Sequence, residues 1–115
     1  NLRQRDPKIW LAIWLPICIP EGVQFEWDPE KDFENQRKHG VSFTDAQEAF
    51  YDPNRVITED LEHSTEQEAR YFCFGKAEHR ILTVRFTFRN DKIRIFGAGF
   101  WRQGRKRYET ENKIH

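Results

Sequence analysis

Apolar and polar residues alternate most strictly over residues 70–101 (RYFCFGKAEHRILTVRFTFRNDKIRIFGAGFW). Leu82, Val84, Phe86 and Phe88 interleave with Thr83, Arg85, Thr87 and Arg89, the period-two pattern of a strand that buries one face. Asn90-Asp91 is turn chemistry, because both side chains tolerate positive φ and bond to nearby backbone. A two-residue loop there predicts Phe88 opposite Ile93, Phe86 opposite Ile95 and Val84 opposite Gly97. Both strands then turn their aliphatic residues to one side, and Arg85, Thr87 and Arg94 share the other. A preceding strand over residues 70–76, closed at Ala77-Glu78, sets Cys73 against Leu82, Tyr71 against Val84 and Arg70 against Arg85. Like charges directly opposed on a ladder repel. The arginine-bearing face therefore needs a bound anion or a carboxylate such as Glu109, and it is where function is expected.

Upstream, Phe25-Glu26-Trp27 alternates as a short strand. Asp28-Pro29-Glu30 opens a helix, with Asp28 as cap and Pro29 at the first helical position. Lys38-His39-Gly40 closes it, with cations in the last turn and Gly40 suited to αL. Thr44-x-x-Gln47 predicts a capping box for a second helix bearing Phe43, Ala46, Ala49 and Phe50 on one side, which Asp52-Pro53 ends. A short strand over 55–58 and an acidic loop over 59–68 follow. A C-terminal helix is expected over 102–114 with Tyr108 packed, although Gly104 weakens it on propensity. The pattern predicts an α+β fold: a small antiparallel sheet of three to four strands, two N-terminal helices packed on it, and a C-terminal helix.

Residues 1–22 differ from the rest. The run IWLAIWLPICIP (residues 9–20) is apolar, broken by Pro16 and Pro20, and shorter than the roughly 20 residues a membrane helix needs. It reads either as an anchor or added strand, or as a leader, tail or non-native extension ahead of a domain spanning 23–115. At 115 residues the chain is one domain, and ten Phe, four Trp and three Tyr supply its large apolar units. The two cysteines, Cys18 and Cys73, have neither metal-ligand nor disulfide-framework spacing, which indicates a reducing, cytoplasmic setting. No metal, cofactor or membrane is implied. The charge balance, 19 basic against 19 acidic, announces no polyanion partner. Its distribution does: residues 80–107 are strongly basic and 59–68 acidic, so one face can meet a polyanion.

In combination, the segment FEWDPEKDFENQRKHGVSFTDAQEAFYDP (residues 25–53), the Arg70-Tyr71 and Arg80-led strands, Ile93-Arg94-Ile95 and Arg107-Tyr108-Glu109 resemble the BrnT toxins. The resemblance runs from Val23 to about Glu109. It implies a RelE-like fold and a type II toxin that cleaves RNA without a metal and arrests translation. The partner implied is a BrnA-like antitoxin with a ribbon-helix-helix domain, through which alone the pair would meet operator DNA. Many members read Ser-Ala-Arg after the IRI strand, where this chain has Gly97-Ala98-Gly99. The place of that arginine is either vacant or taken by Arg102.

On this reading RNA is cut by 2′-hydroxyl attack, and cations must meet charge gathering on the phosphoryl oxygens. Arginine suits the role because its planar fork bonds two oxygens and stays charged. Arg80, Arg94 and Arg70 are the candidates for catalysis, with His39 or Glu109 as proton-transfer group. Arg85, Lys76 and Arg102 are candidates for binding the RNA backbone, and Phe96 and Trp101 for stacking on unpaired bases. Each has a plainer alternative: an arginine paired to a carboxylate, a histidine serving a helix end, an aromatic packed in the core. A chain that keeps the partner but has lost the chemistry, a binding module and co-repressor, is the rival reading.

Overall fold

The structure is a computed structural model that describes residues 19–113. In chain order it comprises β1 (Gln24–Trp27), α1 (Pro29–His39), α2 (Phe43–Ala46) running into a 3-10 helix (Gln47–Tyr51), β2 (Val56–Glu59), β3 (Tyr71–Ala77), β4 (Arg80–Arg89), β5 (Lys92–Gly99) and α3 (Arg102–Asn112). The α+β class is as expected, but the sheet has five strands, ordered β1-β5-β4-β3-β2. The short strand expected over residues 25–27 is β1, and it joins the sheet parallel to β5, Phe25 against Ile93 and Trp27 against Ile95, so the sheet is mixed rather than antiparallel. The apolar run over residues 9–20 lies outside the described residues except for Ile19 and Pro20, as does Cys18. Among the described residues no helix is long and apolar enough to cross a membrane.

The helix ends follow local chemistry. Asp28 accepts the Glu30 N–H at 2.9 Å, Pro29 opens α1, and Gly40 closes it at φ 70°. The second cap is not Thr44. Ser42 takes the role, accepting from the Asp45 N–H at 3.0 Å, because Phe43 must already be helical to reach the core. Both hairpin turns hold two residues at positive φ, Asn90-Asp91 as expected and Glu78-His79 instead of Ala77-Glu78. The shifted turn moves the β3–β4 register: Cys73 meets Val84, Tyr71 meets Phe86, and Arg85 faces Phe72 rather than Arg70. No pair of arginines is opposed across this ladder, so the expected repulsion does not arise. On β4–β5, Phe88 and Phe86 meet Ile93 and Ile95 as expected, but a bulge at Phe96 then sets Val84 against Ala98 and Arg85 against Gly97.

The sheet is covered on both faces. Phe43, Phe50, Leu82, Val84, Phe86, Ile93 and Ile95 form the larger core beneath α2 and the 3-10 helix. Val56, Phe74 and Tyr108 form a smaller one beneath α3, with Phe72 and Ile81 at its margin. Asn35 fastens α1 to the sheet where β1 has ended. Its amide donates to the Ala98 carbonyl and accepts from the Ala98 N–H, at 2.9 and 3.2 Å, and donates to Val41 O at 2.9 Å. A side chain thus replaces a missing strand neighbour, satisfying backbone groups that burial would make costly. Helix α3 is fastened by Tyr108, whose hydroxyl donates to Asp52 at 2.7 Å. The same carboxylate accepts the backbone N–H of Lys76 and of Asn54, each at 2.8 Å.

Gly104 explains why α3 tolerates a poor helix former. A β-carbon there would drive into the Thr83 hydroxyl and sit 3.0 Å from the Phe74 ring. The Thr83 oxygen is buried without a hydrogen-bond partner, covered by the helix backbone. Alanine would gain about 1 kcal/mol of helix propensity, whereas overpacking costs about 1–3 kcal/mol. Gly104→Ala is therefore expected to lower the stability measured by urea unfolding.

Burial pushes the Asp52 carboxyl upward, but hydrogen bonds from Tyr108, Asn54 and Lys76 and the Lys76 charge outweigh it, leaving it below the usual aspartate value. A lowered folded value stabilises the protein above the unfolded aspartate range, about 3.9, and that contribution is lost as pH falls through the folded value. Tyr108→Phe is expected to cost about 1–3 kcal/mol by denaturant unfolding at neutral pH. Asp52→Asn is expected to show a flatter acid limb in stability against pH.

Candidate active site

The β3–β4 hairpin and the first turns of α3 enclose an open cleft of about 630 Å³. Lys76, His79 and Arg80 come from the hairpin, and Arg102, Arg105 and Glu109 from the helix. Phe100, Trp101 and Tyr108 supply its aromatic surfaces. Arg80 has the parity of the core face, yet as the first residue of β4 it turns outward and is exposed. Its guanidinium lies 3.9 Å from the centre of the Phe100 ring, a cation–π contact that limits its wandering. Helix α3 begins at Trp101 with no side-chain cap and no acid in its first turn. Its positive end is left to favour an anion beside Arg102 and Arg105.

This cleft gathers Arg80, Lys76, Trp101, Arg102 and Glu109 from the expected site residues. It also holds His79, which like Lys76 was expected to flank the hairpin within reach of a substrate, and Arg105, to which the sequence assigned no role. In the structure His79 stands in the turn itself, at φ 70°, a conformation costly for most non-glycine residues. Tyr108 is structural, since its hydroxyl is tied to Asp52, and burial followed by that bond raises its own proton affinity.

A second groove, of about 470 Å³, runs between α1 and β5. His39, Arg85, Phe96 and Gly97 line it, and Trp101 belongs to both cavities. His39 meets the Trp101 indole edge to face, ring centres 5.2 Å apart, so it stands behind the cleft's aromatic wall. Arg85 is half-buried and in no ion pair among the described residues.

The remaining arginines stand elsewhere. Arg94 pairs with Glu26, its register partner on β1, at 3.3 Å. Arg70 pairs with Glu68 at 3.4 Å and lies 4.1 Å over the Phe96 ring. Glu68 also accepts from Arg89 at 2.8 Å, and that bond holds its carboxyl below the usual range. Neither Arg70 nor Arg94 lines the cleft with Arg80, and Glu109 is not the carboxylate that balances Arg70.

Among the described residues Asp60, Glu62 and His63 have ligating atoms within 4.8 Å of one another. They precede β3, at the end of the sheet away from the cleft, and His63 is already bonded to Asp60 at 2.8 Å.

Gly97 and Gly99, which replace Ser and Arg of the resembled pattern, are not equivalent. A β-carbon on Gly97 would meet nothing nearer than 3.8 Å. One on Gly99 would stand 2.5 Å from the Trp101 indole, which lies across the glycine. Gly97→Ala should leave thermal stability within about 0.5 kcal/mol. Gly99→Ala should displace the indole, changing the near-ultraviolet circular dichroism and costing about 1 kcal/mol or more.

A family model described as ribonuclease toxin, BrnT, of type II toxin-antitoxin system matches residues 27–104. No curated protein matches the chain.

Proposed function

The chain belongs to the BrnT family of ribonuclease toxins of type II toxin–antitoxin systems, and on that premise we propose that it cuts RNA, without a metal ion, in the cleft between the β3–β4 hairpin and α3. The observation that carries this reading is the convergence of Lys76, Arg80, Arg102 and Arg105 on one cavity. None of the four is in an ion pair among the described residues, whereas Arg70, Arg89 and Arg94 each are.

In the proposed reaction a 2′-hydroxyl loses its proton to a base and attacks the adjacent phosphorus. The bond to the 5′-oxygen breaks as that oxygen takes a proton, leaving a 2′,3′-cyclic phosphate and a free 5′-hydroxyl. Arg80, restrained on Phe100, holds the non-bridging oxygens as negative charge gathers there. Arg102 and the open end of α3 bind the same phosphate or its neighbour. Glu109, on the helix wall, serves as base, and His79, on the hairpin wall, as acid. His39, one cavity away, serves the Trp101 wall rather than the proton transfers.

The partner in this reading is a BrnA-like ribbon-helix-helix antitoxin, which brings the pair to operator DNA, and the setting is cytoplasmic. A second reading, a binding module without chemistry, is favoured by one observation. Gly99 stands where many members carry arginine, and the indole of Trp101 fills the space its side chain would enter.

Incubating the purified chain with single-stranded RNA distinguishes the two. Cleavage products ending in 2′,3′-cyclic phosphate are expected, and Arg80→Ala should slow their appearance by about 10²-fold at unchanged melting temperature. RNA left intact by the unaltered chain moves the protein to the second reading.

A further inference from the structure

Trp101 lines both cavities. The indole lies across Gly99, whose missing side chain makes the seat, and His39 meets it edge-on at 5.2 Å. It is only partly buried. Arg80 lines the first of these cavities and Arg85, the ladder partner of Gly97, lines the second. Neither guanidinium has a carboxylate partner among the described residues, although five other arginines of the described chain do. Gly97 presents no side chain to Arg85, whose Cδ and Nη1 a β-carbon there would touch at 3.8 Å. The groove's three acids, Asp28, Glu30 and Glu34, share its lining with Lys31, Lys38 and Arg85, and Glu34 is already paired with Arg37 at 2.8 Å.

We infer that Trp101 is a stacking platform for one unpaired base, and that the α1–β5 groove is a second phosphate subsite in which Arg85 holds the backbone on the side away from Arg80. The inference rests on the ribonucleic-acid reading of the cleft and specifies its substrate as a single strand. A base reaches the indole only when it has left its own stack, which a duplex resists. A flat aromatic surface accepts any base, and two separated guanidiniums measure backbone spacing, so the site recognises an unpaired strand rather than a sequence.

The test is binding, kept apart from cleavage. The probe is a fluorescently labelled 2′-O-methyl RNA strand, which lacks the attacking hydroxyl, titrated by anisotropy alone and annealed to its complement. The single strand is expected to bind at least ten-fold more tightly than the duplex. Trp101→Leu should weaken single-strand binding on the order of ten-fold, and Trp101→Phe should recover most of it. Arg85→Ala, like Arg80→Ala, should lower affinity and reduce the slope of log affinity against log salt by about 0.7. Unaltered binding by Trp101→Leu, an unchanged salt slope in Arg85→Ala, or equal affinity for strand and duplex overturns the inference. A chain that binds the strand as described but leaves cleavable RNA intact overturns the ribonuclease reading and leaves this one standing.

Discussion

The Asp52 carboxylate accepts three hydrogen bonds, from the Tyr108 hydroxyl and the N–H groups of Lys76 and Asn54. These join the helix forming one wall of the cleft to the strand forming the other, through a residue 9% exposed. Burying a carboxylate is costly unless its charge is met by donors; here the donors are fixed by the fold, so each bond holds the others in place. The geometry of the cleft depends on this junction. Lys76 is bound through its backbone, which leaves its ammonium free for the cavity. Arg80 follows four residues later, beyond a turn whose register the same strand sets.

The elements legible in the sequence are those whose signals are local and mutually consistent. Asp28, Pro29 and Gly40 bracket α1 without help from the rest of the molecule, and Asn90-Asp91 supports positive φ by its own chemistry. The Glu78-His79 turn was not legible, because neither residue favours the conformation it adopts; the ladder on either side imposes it. Ser42 and Thr44 offer competing caps of similar quality, and the burial of Phe43 decides between them. The bulge at Phe96 and the parallel pairing of β1 leave no periodic trace at all. A parallel strand met by one short neighbour looks like any other four residues of alternating sequence.

The same division applies to the candidate site. The hairpin and α3 are separated in the chain only by β5, so their basic residues could be read together from the charge asymmetry of the last third. What charge counting could not show is which arginines were already occupied. Glu68 is two residues from Arg70 and could have been suspected. Glu26 is distant from Arg94 in the chain and reaches it only because β1 lies against β5. An arginine on a strand is free or paired according to its lateral neighbour, and that neighbour is a property of topology. Asn35 was visible as part of a motif, but its purpose, completing the edge of β5, needed the fold.

Gly104 and Tyr108 lie one helical turn apart on the underside of α3, one seated on Thr83 and the other on Asp52. Two footholds on one face remove the rolling and sliding by which packed helices usually adjust to what they hold. The cleft thereby acts as a gauge of fixed aperture. Any fit between the cleft and what enters it must then come from the entrant's own suppleness, since the walls do not adjust.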